Sequence, residues 1–275
     1  MHSYRTLLAA HPAGAAVIAH RGAWHRAPEN SLASIRDAIA LGCTAASVDV
    51  RGTRDGHLIL LRDDTALRMT GAALRPAWST LAEMRARPLF RADGATRRTT
   101  AERVPTLTEA LDLARGRIAL ELDLRDPSLL PNAVACVQAA GAEGFAALRM
   151  QVGSTADVRR LARLQQDSGI AVVAVARAGQ GGLPEALLHH PPFMVDLEFQ
   201  RLEDLRPAAR TLRRAGIAVR VGTVEGSRPA GLTDRDARWA GDAVWGQLLA
   251  AGVGAIQTDE PARLRGWLRA VGVAA

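Results

Sequence analysis

Short runs of apolar and β-branched residues alternate along this chain with stretches in which apolar residues recur at helical spacing. Such alternation favours consecutive βα units over separate layers of helices and strands. Because eight βα units typically take about 250 residues, the chain predicts one domain, residues 1–275, folded as a parallel (β/α)8 TIM barrel of the α/β class. Its eight predicted strands are Ala16–His20, Ala45–Arg51, Arg117–Asp123, Phe145–Gln151, Ile170–Val175, Phe193–Glu198, Ile217–Gly222 and Gly254–Gln257.

The connection after the second predicted strand is the main departure from this regular pattern. It covers residues 52–104, whereas loops of this kind usually take about two to six residues. It contains a short strand candidate, His57–Leu61, followed by a polar stretch rich in arginine. Long loops at the C-terminal face of a barrel generally build or cover its active site. We therefore expect this insertion to form a lid or a wall of the substrate site.

Composition bears on where the protein is located and on what it binds. The formal net charge is +7, but the basic residues are scattered and only 4% of residues are aromatic. We therefore interpret the basic residues as parts of solvent-exposed surfaces and expect no nucleic-acid partner. No apolar run approaches the ~20 residues of a membrane-spanning helix. The start of the chain, Met1–Pro12, shows no export-signal pattern. We expect a cytoplasmic protein without stable membrane insertion, and the sequence leaves its oligomeric state open.

Several predicted strands end in side chains that suit a phosphate ester. Arginine offers a planar fork of donors that matches phosphate oxygens, carboxylates are the ligands of Mg²⁺ and Ca²⁺, and histidine exchanges protons near neutral pH. In a barrel the C-terminal ends of the strands converge on one mouth. For any single acid, a salt-bridge network that only fills the barrel is the alternative. The side chains so placed are His20, Arg21, Asp49, Arg51, Glu121, Asp123 and Glu198.

Five motifs in order carry a family resemblance. They are His20-Arg21-Gly22, Pro28-Glu29-Asn30, Thr53-Arg54-Asp55-Gly56, Val104-Pro105-Thr106-Leu107 and the closing segment 252–261. Together they resemble the glycerophosphodiester phosphodiesterase family over nearly the whole chain. The resemblance implies a TIM barrel that hydrolyses a glycerol-type phosphodiester with a divalent cation, Mg²⁺ or Ca²⁺, and takes part in lipid metabolism. In that family an acid pair and a further glutamate hold the metal, two histidines exchange protons, and a lysine lies near the phosphate.

The resemblance also assigns roles to individual positions. His20 corresponds to the first catalytic histidine, and Arg21 to the phosphate-binding arginine. Glu29 corresponds to the glutamate that follows the histidine, which we assign to substrate binding. Asp49 and Glu121 correspond to metal ligands.

Four positions depart from the family pattern. Ser47 stands where the family has a ligand glutamate, Arg62 where it has the second histidine, Asp123 where it has the lysine, and Gly222 where it commonly has a tryptophan. Arginine stays protonated and cannot exchange protons as histidine does. His25 and His57 could substitute for the missing histidine, although their loop positions favour the surface.

We interpret the departures as a relocated metal site. Asp49, Glu121 and Asp123 would hold the cation, while Arg62 would join Arg21 as a catalytic and phosphate-binding residue in the role of the lysine. A competing interpretation pairs Arg62 directly with Asp123 and leaves no metal. The leading function is metal-assisted phosphodiester hydrolysis. The alternative is a barrel that binds a small phosphorylated ligand without turnover, and a third is a structural barrel that acts through protein contacts.

Overall fold

The computed structural model describes residues 3–9, 15–179, 183–225 and 231–273. Part of the segment Met1–Pro12, where we expect no export signal, lies outside these residues. Eight strands close into a parallel barrel surrounded by helices, which confirms the predicted fold. None of the helices in these described ranges has the length and apolar character needed to cross a membrane.

All eight predicted strands form within a few residues of their predicted bounds. The strand candidate at His57–Leu61 forms as well, as β3, and pairs antiparallel with β2. The order in the sheet is β1-β9-β8-β7-β6-β5-β4-β2-β3, with a further pairing of β1 with β2. The strands are β1 Ala16–His20, β2 Ala45–Gly52, β3 Leu58–Leu60, β4 Ala119–Leu124, β5 Ala146–Gln151, β6 Ala171–Arg177, β7 Met194–Glu198, β8 Ala218–Gly222 and β9 Ala255–Thr258.

Helices follow the strands, as a βα pattern requires. Short 3₁₀ turns cover Pro76–Trp78 and Pro127–Leu129, and a π turn covers Asp242–Gly246. The α-helices are α1 Tyr4–Ala9, α2 Leu32–Ala40, α3 Leu67–Thr70, α4 Leu81–Arg85, α5 Leu107–Ala114, α6 Leu130–Ala139, α7 Thr155–Ser168, α8 Leu183–His189, α9 Leu202–Arg214, α10 Asp234–Ala237, α11 Gln247–Ala250 and α12 Pro261–Ala270.

The chain divides into two compact units, of which the first contains Ala19–Ala146. In this unit β2 runs parallel to β4, and the register places Asp49 beside Asp123 and Ser47 beside Glu121. Neighbouring residues in register point to the same face of a sheet. Of the side chains that the sequence places at the strand ends, all but Glu198 lie in this unit.

The second unit comprises Ser3–Ile18 and Ala147–Ala275. Its strands carry a buried polar layer among apolar side chains. Arg149 Nη2 donates to Asp196 Oδ2 at 2.8 Å, Arg220 Nη2 lies 3.4 Å from the same oxygen, and Arg220 also donates to Gln257. Because Arg220 is fully buried, its charge requires these partners. This layer is a salt-bridge network. Such a network is the alternative to a functional role that the sequence leaves open for any single acid.

The segment between β2 and α5 has a small apolar core of its own. Its buried members include Ile59, Leu61, Met69, Met84 and Leu89. The segment ends in a capping box, in which the Thr106 hydroxyl accepts from Glu109 N and the Glu109 carboxylate accepts from Thr106 N. This folding explains how so long a connection avoids a structureless loop. Its role as a lid or substrate wall stays a prediction.

Candidate functional site at the strand ends

The turn after β1 fixes the side chain of Arg21. Both Arg21 (φ 57°) and Gly22 (φ 79°) have left-handed backbones. A Cβ on Gly22 would lie 2.4 Å from Ser34 Oγ, so only glycine fits where α2 packs against the turn. The Arg21 carbonyl accepts from the Ser34 hydroxyl and from Asn30 N, at 3.0 and 2.9 Å. The motifs His20-Arg21-Gly22 and Pro28-Glu29-Asn30 are therefore joined by hydrogen bonds into one local structure.

Asn30 holds Asp49 through two hydrogen bonds. Its Nδ2 donates to Asp49 Oδ2 at 3.0 Å, and its Oδ1 accepts from Asp49 N at 2.9 Å. Asn30 itself has a left-handed backbone (φ 52°), a conformation that asparagine tolerates better than most residues. The sequence assigned no role to this residue, although it stands in the Pro28-Glu29-Asn30 motif.

Asp49 is the centre of the site. Arg21 Nε lies 3.2 Å from its Oδ2, Arg62 Nη1 donates to its Oδ1 at 3.0 Å, and Arg125 Nη1 lies 3.8 Å from Oδ1. Burial by itself would raise the pKa of the Asp49 carboxyl. Arg21, the Asn30 hydrogen bond and Arg62 outweigh burial and hold that pKa below its usual value. Asp49 is therefore an ionised carboxylate surrounded by guanidinium groups.

Glu29 links Arg21 to the segment after β3. Its Oε2 accepts from Arg21 Nη1 at 2.7 Å, and its Oε1 accepts from Arg68 Nη2 at 2.6 Å. Arg68 also donates to Asp63 Oδ2 at 2.6 Å. Burial would lower the pKa of Arg68, but the hydrogen bonds to Asp63 and Glu29 raise it. Glu29 thus positions two arginines, and its assignment to substrate binding stays a prediction.

The two acids of β4 have different surroundings. Glu121 is fully buried beside Ser47, whereas Asp123 is partly exposed beside Asp49. Arg125 Nη1 donates to Asp123 Oδ2 at 3.3 Å. Arg62 pairs with Asp49, whereas the competing interpretation paired it with Asp123. That interpretation stays a prediction.

Two acids of the site are more deeply buried than its arginines. The side chains of Asp49 and Glu29 are 3% and 1% exposed, while those of Arg21, Arg62 and Arg125 are 19%, 34% and 28% exposed. These two carboxylates therefore lie beneath partly exposed guanidinium groups. A guanidinium has five N–H donors, so contact with Asp49 leaves each arginine capable of binding phosphate oxygens.

The predicted metal ligands do not fit a cation in this arrangement. Within the described ranges, no group of three or more histidine, cysteine, aspartate or glutamate side chains is arranged to hold a metal ion. Both oxygens of Asp49 face N–H donors, Oδ1 that of Arg62 and Oδ2 that of Asn30. A metal ligand needs an oxygen lone pair directed at the ion.

His20 ends β1 next to this cluster and is partly buried. Its charge is among the influences that lower the pKa of Asp49, which places the imidazole within electrostatic reach of the carboxylate. His25 and His57 are exposed, as predicted; the first stacks on Trp24 and the second lies 4.0 Å from Asp55. Among the histidines that the structure describes in this unit, His20 is thus the one that accompanies the arginine cluster.

Similarity to known proteins covers most of the chain. The model of the glycerophosphoryl diester phosphodiesterase family matches residues 20–263. Glycerophosphodiester phosphodiesterase 1 of Mus musculus is 35% identical over 109 residues, which are 39% of this chain and 33% of that protein. A glycerophosphodiester phosphodiesterase of Caldanaerobacter subterraneus subsp. tengcongensis is 36% identical over 97 residues, 35% of this chain and 39% of that protein. The aligned segments thus span a third or somewhat more of these relatives.

Solved structures share the fold at low identity. A glycerophosphoryl diester phosphodiesterase from Parabacteroides distasonis has a TM-score of 0.79 and 19% identity, and the match covers 98% of this chain and 93% of that one. A phosphodiesterase from Oleispira antarctica, solved in complex with the product sn-glycerol-3-phosphate, has a TM-score of 0.69 and 22% identity, with 93% and 97% of the two chains covered. These likenesses show a common barrel.

Proposed function

The chain belongs to the glycerophosphoryl diester phosphodiesterase family, and from that premise we propose that it hydrolyses a glycerol-type phosphodiester at the strand ends of its first unit. The observation that carries this proposal is the convergence of Arg21 and Arg62 on the buried Asp49, beside His20. Guanidinium groups oriented in advance by a carboxylate can bind a phosphate without reorganising. The product named for the Oleispira antarctica structure, sn-glycerol-3-phosphate, carries the phosphate group that such a site would bind.

The reaction requires charge neutralisation and proton transfer. Arg21 and Arg62 would bind the phosphate oxygens and stabilise the charge that builds up on them as water attacks phosphorus. His20 would supply the proton that the departing alcohol oxygen takes up, since imidazole exchanges protons near neutral pH. The attacking water would release its proton to solvent, from which the imidazole would regain the one it gave up. Glu29 and Asn30 would act through other residues. Glu29 would orient Arg21, and Asn30 would hold Asp49 in place.

Whether a metal ion assists the reaction is a separate question. The geometry of the acids does not support metal binding. For Asp49, Glu121 and Asp123 to bind Mg²⁺ or Ca²⁺, Arg62 and Asn30 would have to give up the oxygens of Asp49. Calorimetric titration of the intact chain and of Asp123→Asn with each cation addresses this question. Equal binding, or no binding, by both proteins would exclude Asp123 as a ligand.

Binding without turnover is a second candidate function, and one observation favours it. Arg62 stands where the family has its second proton-exchanging histidine, and arginine stays protonated. Its guanidinium forms an ion pair with Asp49. A site with a single proton carrier can hold a phosphate ester yet cleave it slowly. Glycerol phosphate would then be a ligand rather than a product.

Turnover by intact chain and variants distinguishes the two candidates. We expect the intact chain to release sn-glycerol 3-phosphate from glycerophosphocholine, glycerophosphoethanolamine or both. His20→Asn should reduce kcat by about 10² to 10⁴, the usual contribution of a general acid or base. The matched control is His25→Asn, which changes an exposed histidine five residues along the chain and should leave kcat unchanged.

Three results are decisive. Equal loss in both histidine variants would remove His20 from the proposed role. Undetectable release by the intact chain, together with a thermal shift on adding sn-glycerol 3-phosphate, would favour the binding function. The absence of both release and a thermal shift would contradict both candidate functions.

A further inference from the structure

We propose that Arg62 and Arg125 supply the positive charge that a divalent cation would otherwise bring to this site, so that the phosphodiester binds without a metal. The inference rests on the proposed function and specifies its binding chemistry. It assigns a role to Arg125, which neither the sequence motifs nor the family resemblance identifies.

Arg125 bridges two carboxylates of neighbouring strands. Its Nη1 lies 3.3 Å from Asp123 Oδ2 and 3.8 Å from Asp49 Oδ1. Asp49 and Asp123 are partners in the register of β2 and β4, so their side chains share a face. A metal ion held by these two residues would lie between the same carboxylates. One nitrogen of Arg125 therefore occupies the position that such a bridging cation needs.

Arg62 satisfies the remaining side of Asp49. Its Nη1 donates to Oδ1 at 3.0 Å, while Asn30 donates to Oδ2 at 3.0 Å. Arg125 Nη1 also lies 3.8 Å from Oδ1 and Arg21 Nε lies 3.2 Å from Oδ2, so each oxygen of Asp49 faces a guanidinium group. A metal ion bound to either oxygen would lie close to this positive charge, which opposes its binding.

Charge is already balanced without a metal. Arg21, Arg62 and Arg125 contact three carboxylates, those of Glu29, Asp49 and Asp123, so the charges of these contacts are equal in number. An added divalent cation would leave an excess of two positive charges beside these guanidinium groups. The arginines are the more exposed partners, so the field at the surface of the site is suited to an anion.

The backbones of both arginines are held by β2. The Arg62 carbonyl accepts from Arg51 Nε and Nη2 at 3.2 and 3.0 Å. Arg125 N donates to the Val50 carbonyl at 3.0 Å. Two cations anchored to one strand can present their outer N–H groups to a phosphate with little loss of freedom.

Calorimetry with sn-glycerol 3-phosphate tests the inference on the intact chain. We expect Kd to agree within about twofold in chelator, in Mg²⁺ and in Ca²⁺. We expect Arg125→Gln to weaken binding at least about tenfold, because a charge-assisted contact to phosphate is lost. The matched control is Arg117→Gln, an exposed arginine before the opposite end of β4, which should bind as the intact chain does.

The possible outcomes separate this inference from the proposed function. Binding that appears only with a metal would overturn the inference and leave the phosphate site in place. Equal binding by Arg125→Gln and the intact chain, in chelator, would likewise overturn it. Absence of binding in every buffer would overturn the proposed function as well. Because the chelator comparison uses the intact chain, the inference is tested even if Arg125→Gln fails to fold.

Discussion

At the scale of single residues, the site is organised around one buried carboxylate. Asp49 receives hydrogen bonds from Asn30 and Arg62 and lies close to Arg21 and Arg125. Each arginine binds an acid that is more buried than itself, and this arrangement orients the guanidinium groups for an external anion. Asp49 is thus a positioning residue, and its effect on phosphate binding should be indirect.

Replacing Asp49 by asparagine should destabilise the chain by about 3 kcal/mol at neutral pH. This is the lower end for a broken buried ion pair, because the arginines left behind are partly exposed. The contribution of Asp49 is fully present above the usual carboxyl pKa of 3.8 and is lost as pH falls toward its lower value in the folded chain. The stability difference should therefore shrink below that pH. Urea unfolding at a series of pH values measures it.

Asp112→Asn is the matched control for this measurement. Asp112 is exposed and pairs only at the surface with Arg115, so its replacement should change stability by less than about 1 kcal/mol. A difference between intact chain and Asp49→Asn that stays constant down to low pH would contradict an ionised Asp49.

At the scale of secondary structure, the turn after β1 and the start of α2 form one unit. Gly22 permits the close approach of Ser34, whose hydroxyl binds the Arg21 carbonyl. Ser31 caps α2 by accepting from Ser34 N, and its own hydroxyl donates to the Pro28 carbonyl at 2.6 Å. The helix start therefore holds the arginine and the Pro28-Glu29-Asn30 motif in place.

Gly22→Ala should be destabilising by roughly 2 to 4 kcal/mol, because left-handed strain adds to a clash with backbone and side-chain atoms of Ser34. Gly116→Ala is its control: Gly116 also has a positive φ, of 70°, but has no atom within 4 Å of an added Cβ, so only about 1 kcal/mol of strain is expected. Thermal unfolding compares the two variants. Similar losses in both would show that the Ser34 contact does not constrain the turn.

Elements were easier to predict from the sequence than contacts between them. The eight strands follow from apolar runs, and the Thr106 capping box follows from a local four-residue pattern. The bond between Arg62 and Asp49 depends on where β3 returns beside β2, and the position of Arg125 depends on the register of β2 with β4. No local pattern encodes these relations. For the same reason, the ion pair between Arg62 and Asp49 was not predicted.

At the scale of the whole molecule, the family and the fold are established. The family match spans residues 20–263, and the barrel agrees with solved members. The family resemblance further predicts that the chain keeps His20 and Arg21 but carries Arg62 in place of a histidine and Ser47 in place of a glutamate. A barrel tolerates such changes because its active-site residues lie at strand ends and in loops, apart from the packed core.

A crystal structure of the intact chain grown with sn-glycerol 3-phosphate and Mg²⁺ tests the central claim most directly. We expect phosphate oxygens within about 2.7 to 3.2 Å of guanidinium nitrogens of Arg21 and Arg62, with Arg125 still between Asp49 and Asp123. Phosphate bound elsewhere on the chain would contradict the assigned site. A Mg²⁺ ion about 2.0 to 2.1 Å from Asp49, with the arginines displaced, would contradict their replacement of the metal.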